Sequence, residues 1–217
     1  MGAPRLGIII PALNEAETIG PVLERVREFG RPIVVDDGST DATADLSRSL
    51  GAEVVVHDTN RGYDGALNSG FLRAEKLGCE FAITIDADGQ LPAHLIPAYL
   101  EKLQGGADLV VGIRDHVPRI SELAFQVVAR RLYGLQDPLC GMKGYRMSFF
   151  RDLGHFDSYR SIGTELMLYC VRNGARLAQI PVPTKPRVGQ ARIGGSLKAN
   201  YIIGRAAGMA ILHHISR

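Results

Sequence analysis

Asp86-Ala87-Asp88-Gly89-Gln90 follows the apolar run Phe81–Ile85 and brings two carboxylates and an amide together just past a strand-like segment. Carboxylates two residues apart at a strand end leave in related directions. With the Gln90 amide oxygen they form a set of hard oxygen donors suited to Mg²⁺ or Mn²⁺. Such an ion keeps waters and takes diphosphate oxygens for its remaining positions, so the expected ligand is a nucleoside diphosphate. No His or Cys joins the cluster, which argues against zinc. A second acidic pair, Asp36-Asp37, follows Ile33–Val35. A carboxylate there can accept hydrogen bonds from N–H groups of uracil or guanine, or can cap a helix N-terminus. The chain has no G-x-G-x-x-G after its first strand, no G-x-x-x-x-G-K-[ST] and no G-x-S-x-G. Dinucleotide dehydrogenases, P-loop NTPases and nucleophile-elbow hydrolases are thereby disfavoured.

These acids need a scaffold that gathers strand ends. Leu6–Ile10, Ile33–Val35, Val54–Val56, Phe81–Ile85 and Leu109–Val111 are nearly continuous apolar runs, as expected of strands buried on both faces. Between them, Thr18–Phe29, Ala42–Leu50, Ala66–Leu77 and Pro92–Leu103 have helical spacing, with Gly30 and Gly51 as C-caps and Ser39 or Thr40 as an N-cap. The series predicts an α/β fold with a mostly parallel sheet covered by helices. In such sheets ligands bind beyond the carboxyl ends of the strands. The runs end in Pro11-Ala-Leu-Asn-Glu15, Asp36-Asp37-Gly-Ser-Thr-Asp41, His57-Asp-Thr-Asn-Arg-Gly62 and Asp86–Gln90, so one edge collects the polar groups. Past Arg114 the regularity breaks. A basic stretch Ile120–Leu132, a loop Gln136–Gly144, a helix Gly163–Arg172, a strand Arg176–Val182, a Gly/Pro/Arg-rich segment Pro183–Gly195 and a tail helix Ser196–Ile215 are expected.

With 217 residues, 46% hydrophobic and 22% charged, the composition is that of one ordinary globular domain, 1–217. Three cysteines without a C-x-x-C pair suggest neither a disulfide framework nor a thiolate metal site. No apolar run is long enough to span a membrane and no signal-peptide core precedes the first strand, so a cytoplasmic location is expected. The net charge of +2 hides an asymmetry: residues 1–110 carry 9 Lys+Arg against 17 Asp+Glu, a balance of −8, and residues 111–217 carry 16 against 6, a balance of +10. The acidic half suits a metal and a nucleoside, and the basic half suits phosphates, an anionic membrane or nucleic acid. No RNP, zinc-finger or helix-turn-helix signature supports nucleic acid.

Taken in order, Pro11-Ala-Leu-Asn-Glu15, Val34-Val-Asp-Asp-Gly-Ser-Thr-Asp41, Asn60-Arg-Gly-Tyr63, Asp86-Ala-Asp-Gly-Gln90, Val110-Val-Gly-Ile-Arg114 and Asp137-Pro-Leu-Cys-Gly-Met-Lys-Gly-Tyr-Arg146 resemble family 2 glycosyltransferases of the dolichyl-phosphate mannosyltransferase, or polyprenyl-phosphate, type. The resemblance covers about residues 6–200. It implies a GT-A fold, a nucleotide-sugar donor of the GDP-mannose or UDP-glucose class, a divalent metal (Mg²⁺ or Mn²⁺) and inversion at the anomeric carbon. By position it assigns the donor side to Pro11, Leu13, Glu15, Asp36, Asp37, Arg61, Gly62, Asp86, Arg114, Arg187 and Arg192. Asp88 and Gln90 match the metal ligands, and Arg114 the arginine near the donor phosphates. Arg187-Val-Gly-Gln-Ala-Arg192 resembles a segment that closes over the diphosphate, so Pro183–Gly195 is expected to order when donor binds. The acceptor side falls to Arg131, Cys140, Gly141 and Lys143, although Cys140 by itself reads as structural. Leu13, Asp64 and Ala191 depart from the family pattern, where an aromatic residue, a second Gly and a Ser are usual.

Asp86, Asp88 and Glu165 are the catalytic candidates. Glu165, in Ile162-Gly-Thr-Glu-Leu-Met, matters most if the acceptor is a sugar hydroxyl that needs a base. A phosphate monoester is already anionic. The alternative for Glu165 is a structural carboxylate paired with an arginine. In the tail helix, Lys198 and Arg205 share a face with Tyr201, Ile202, Ala206, Met209 and Leu212 as an apolar surface, which suits docking on a membrane, on the domain or on a second subunit. The expected function is sugar transfer to a polyprenyl phosphate with peripheral membrane contact. The alternative is transfer to a soluble or polymer glycan hydroxyl.

Overall fold

The computed structural model describes residues 5–115, 119–184 and 196–215. Its strands are β1 (Leu6–Ala12), β2 (Arg31–Asp36), β3 (Glu53–Val56), β4 (Phe81–Thr84), β5 (Leu109–Arg114), β6 (Lys143–Arg146) and β7 (Leu177–Val182). The helices are α1 (Ile19–Val26), α2 (Thr43–Ser49), α3 (Gly62–Lys76), α4 (Ile96–Gln104), α5 (Ile120–Tyr133), α6 (Met147–Leu153), α7 (Glu165–Arg172) and α8 (Ser196–Ile215). All seven strands lie in one sheet of order β3-β2-β1-β4-β6-β5-β7. Every pairing is parallel except those of β6, which runs antiparallel to both β4 and β5.

Alternation along the strands divides the apolar runs between two cores. Ile9 and Ile33 join Leu67 and Phe71 of α3 on one face, while Ile8, Ile10 and Val34 join Ile19 and Leu23 of α1 and Tyr99 and Leu103 of α4 on the other. Each such fully buried side chain contributes roughly 1.5–3 kcal/mol. Helix α3 lies especially close to the sheet, because a Cβ at Gly70 would collide with Ile9 Cγ2. On that face Phe71 stacks on Phe156 with centroids 4.7 Å apart and meets Tyr145 edge-on at 5.4 Å.

The five expected early strands and the tail helix are present, with shifted ends. Helix α3 begins four residues before the expected Ala66, at Gly62, and α1 ends at Val26, so Gly30 does not cap it. Gly51 does follow α2 with left-handed backbone, φ 80°. Neither Ser39 nor Thr40 caps α2; Asp41 Oδ1 accepts the Thr43 N–H instead, at 3.0 Å. Two elements were not foreseen. Strand β6 starts inside the expected loop Gln136–Gly144, and α6 follows it directly. Lys-Gly-Tyr-Arg carries no strand signal of its own, and its ladder partners on both sides, Phe81–Thr84 and Leu109–Val111, make it a strand.

Candidate active site

Parallel pairing brings the ends of β1, β2, β3 and β4 to one edge, and backbone bonds extend the ladder into the loops. Asp37 N–H donates to Ala12 O at 2.9 Å, His57 N–H to Asp36 O at 2.9 Å and Ile85 N–H to Ile9 O at 3.1 Å. After β1, Glu15 is buried and its Oε2 accepts from Thr18 Oγ1 at 2.6 Å. Asn14 Oδ1 accepts the Thr40 N–H at 2.8 Å, joining the loops after β1 and β2. Pro11 is buried and Leu13 half-buried on this edge.

Asp36 and Asp37 are both buried, with different partners. Asp36 Oδ1 accepts the Ser39 N–H at 2.7 Å and shapes the turn. Asp37 accepts the Arg61 N–H at 2.8 Å on Oδ1 and the Gly62 N–H at 2.8 Å on Oδ2, so it caps α3 rather than α2. His57 Nδ1 lies 2.7 Å from the same Oδ1, and its Nε2 lies 2.8 Å from Ser69 Oγ. Sequence reasoning gave no role to His57. The signal available was a histidine directly after an apolar strand and opposite an acidic pair.

Past the end of β4, Asp88 is buried and its Oδ1 accepts the Gln90 N–H at 3.0 Å, while Asp86 and Gln90 are half-buried. Gly141 presses against Asp86: a Cβ there would overlap the carboxylate. The Gly141 carbonyl accepts from Thr84 Oγ1 at 2.7 Å, so the start of β6 is fixed against β4 beside Asp86. Among the described residues no three His, Cys, Asp or Glu side chains converge as a metal cage. The oxygens of Asp86, Asp88 and Gln90 fit a Mg²⁺ or Mn²⁺ ion completed by phosphate oxygens and water.

Arg114 is a structural hub. Its Nε and Nη2 lie 2.7 and 2.9 Å from the two oxygens of buried Asp137, and Nη2 also donates to Glu122 Oε2 at 2.9 Å. Burial alone would raise the Asp137 carboxyl, but the bonds and charge of Arg114 outweigh it and hold it below the ordinary value. Cys140 is fully enclosed, and burial and the Asp137 charge push its thiol up to about 12. Lys143 is also enclosed; burial lowers its ammonium from the ordinary value, and its Nζ donates to Gly163 O at a long 3.4 Å. Arg61 and Arg131 are exposed. Arg187 and Arg192, and with them the expected closing segment, lie outside the described residues.

Glu165 opens α7. Its carboxylate lies 2.8 Å from His155 Nε2 and accepts from Ser158 Oγ at 2.9 Å and from the Ser158 N–H, so a histidine stands where an arginine partner was the expected alternative. With Tyr159, Tyr169 and Arg172 it lines a cavity of about 250 Å³.

The profile of glycosyl transferase family 2 matches residues 7–154, and the chain belongs to that family: it is a glycosyltransferase on a GT-A fold. An uncharacterized glycosyltransferase of Mycobacterium tuberculosis is 31% identical over 212 residues, covering 93% of this chain and 95% of that one. A dolichyl-phosphate hexose transferase of Haloferax volcanii is 27% identical over 201 residues, covering 87% and 86%. Among solved structures, glucosyl-3-phosphoglycerate synthase of M. tuberculosis in complex with Mn²⁺, UDP-glucose and phosphoglyceric acid superposes with a TM-score of 0.76 at 22% identity, over 98% of this chain and 80% of that one.

Proposed function

We propose that this glycosyltransferase moves a hexose, with inversion, from a UDP- or GDP-linked sugar to a polyprenyl phosphate, and that Asp88 and Gln90 hold the divalent ion. The observation that carries the reading is the junction of Asp86, Gly141 and Lys143. There Gly141 packs against the Asp86 carboxylate at the acidic strand end, two residues before the enclosed Lys143, whose Nζ donates to Gly163 O at 3.4 Å, so that the acidic edge and a cation of the basic half meet. The relative from Haloferax names a lipid-phosphate acceptor, and the superposed synthase was crystallised with a divalent ion and a UDP-sugar.

An acceptor phosphate oxygen attacks the anomeric carbon from the face opposite the diphosphate. The new C–O bond forms as the bond to the diphosphate breaks, and the configuration inverts. A phosphate is already ionised, so no base is required. Negative charge accumulates on the departing diphosphate. A divalent ion, when bound, would neutralise it, which is commonly a large share of such catalysis. Only a glycine at 141 leaves space for the Asp86 carboxylate, and Asp37, which already accepts the Arg61 and Gly62 N–H groups, would have to accept a base N–H on its remaining lone pairs.

Helices α5 and α8 support a lipid-borne acceptor. Ile120 is 88% exposed, and Leu123 and Val127 continue its stripe on α5; Tyr201, 73% exposed, and Leu212 face outward on α8. The expected apolar face of the tail helix divides, since Ala206 is buried. The single acid of the two helices, Glu122, is buried against Arg114 and Arg119, so the exposed charges include Arg130, Arg131 and Arg205. Apolar stripes bordered by arginines without acids suit an anionic bilayer surface. No described helix is long and apolar enough to cross a membrane.

Transfer to a sugar hydroxyl, with Glu165 as base, is the second reading. Both Glu165 oxygens already accept hydrogen bonds, an arrangement that favours orienting over proton abstraction. The deciding measurement is product formation with undecaprenyl phosphate in detergent, Mn²⁺ and UDP-glucose or GDP-mannose, for wild type and Glu165→Gln. Lipid-linked product with a loss of roughly tenfold or less in the variant supports the first reading. Transfer only to soluble sugars, falling about 10²–10⁴-fold in the variant, overturns it.

A further inference from the structure

Helix α3 turns two polar side chains, Asp64 and Asn68, one turn apart, onto the segment that leads into α7. Asn68 Oδ1 accepts the N–H groups of Phe156 and Asp157 at 2.7 and 3.3 Å, and its Nδ2 donates to Asp157 O at 2.6 Å. Asp64 accepts the N–H of Gly163 at 2.6 Å and of Ile162 at 3.3 Å. Between these grips the chain winds around the Asp157 carboxylate, which accepts the Tyr159 and Ser161 N–H groups and the Ser161 hydroxyl.

The gripped segment is strained. Arg160 and Ile162 hold left-handed backbone at φ 58° and 59°, a conformation that a β-branched residue adopts only when its surroundings impose it. Gly163 follows, and its carbonyl is the one that receives Lys143 Nζ; two residues later Glu165 begins α7. At the same N-terminal end α3 is held by Asp37 through the Arg61 and Gly62 N–H groups. A single helix therefore links the nucleoside edge to the turn over Lys143.

A carboxylate at position 64 is not required for helix formation. An exposed acid in the first turn would satisfy the helix dipole equally well. Here burial, with the Asp157 charge adding to it, pushes Asp64 up to about 6 despite its bonds to Gly163 and Ile162. Groups kept at such a cost tend to be kept for a function.

We propose that Asp64 is a positioning residue of the acceptor half: it holds the Arg160–Gly163 turn in its left-handed form, which presents the Gly163 carbonyl to Lys143 and sets the start of α7. The role rests on the reading of Lys143 as an acceptor-side group. Two variants test it, Asp64→Ala and the milder Asp64→Asn, which retains one acceptor oxygen and decides the matter if the first fails to fold. In Asp64→Asn, amide exchange across 158–165 and tryptic cleavage after Arg160 should both speed up. Mn²⁺-dependent affinity for UDP should stay within about twofold, and KM for undecaprenyl phosphate should rise roughly tenfold, as for one lost charge-assisted bond, with kcat changed less. Unchanged exchange and cleavage overturn the proposal, as does a loss of UDP affinity equal to the loss of transfer. If the wild type transfers nothing to undecaprenyl phosphate, the lipid reading fails separately. Asp64 is then judged by exchange and tryptic cleavage alone, and no change in them refutes it.

Discussion

Arg114→Met removes the cation from a largely enclosed ion network while keeping an apolar stem of similar reach. Arg114 is 16% exposed, Asp137 0% and Glu122 4%, so solvent screens the network little. Losing one partner of a buried pair costs about 3–5 kcal/mol, because the remaining charge stays buried without compensation. Glu122 keeps Arg119 at 3.0 Å, so the loss falls mainly on Asp137. For a domain of this size each kcal/mol shifts Tm by about 2–4 °C, giving an expected fall of about 6–20 °C. The deficit should depend on pH. In the wild type the Asp137 carboxyl lies below its ordinary 3.8, so its contribution is present above that value and is lost as pH falls through the folded one. In the variant the same buried carboxyl has lost its cation and titrates upward, so its cost grows with rising pH. The gap between the two proteins therefore widens from about pH 4 to pH 7. Differential scanning fluorimetry across that range, with urea unfolding at pH 7, measures it. A Tm within about 3 °C of wild type, together with lost UDP affinity, would refute this reasoning and return Arg114 to the donor phosphates.

Asp88→Asn keeps a coordinating oxygen and removes a charge; Mn²⁺-dependent UDP binding should weaken by titration calorimetry with Tm preserved, and unchanged binding would remove Asp88 from the metal site. Gly141→Ala inserts a methyl group where the Asp86 carboxylate lies, so stability should drop by about 1–3 kcal/mol and transfer by a larger factor than UDP affinity; normal turnover would mean that Asp86 can move freely. Leu123→Glu with Val127→Glu should abolish sedimentation with vesicles containing anionic lipid while leaving UDP binding intact. Sedimentation of wild type with zwitterionic vesicles alone, or dimer dissociation in the variant, would assign that face to a different partner.

The donor half was legible because parallel strands buried on both faces announce themselves as continuous apolar runs, and their ends carry the polar residues. Ile8, Ile9 and Ile10 could hardly be anything but a buried strand. The placement of Asp88 and Gln90 just past β4 was legible for the same reason, since both follow the apolar run Phe81–Ile85 directly. Strand β6 was not, because its stability comes from β4 and β5 and not from Lys-Gly-Tyr-Arg itself. The partners of Arg114 and Asp37 were hidden too. Both residues carry charges that suggest a ligand, yet Arg114 finds Asp137 at a separation of 23 residues and Asp37 finds Gly62 at 25, distances over which no local pattern operates. Asp64 stood out in sequence only as a misplaced acid in a glycine-rich turn. Its partners, the Ile162 and Gly163 amides, lie nearly a hundred residues away and come to its oxygens only in the folded chain.

The antiparallel insertion of β6 also sets an order of assembly on the growing chain. Strands β2, β3 and β4 can each pair as they leave the ribosome, since each has one parallel neighbour, β1, β2 and β1 respectively, already made. Strand β5 has no such luck: both of its neighbours, β6 and β7, are synthesised after it. Until Lys143–Arg146 emerges, β4 presents a bare edge and β5 is an apolar strand without a sheet, the kind of nascent surface that invites capture by a chaperone or by another chain. The acidic and basic halves divide cleanly along the sequence, yet neither can close its part of the sheet without the other.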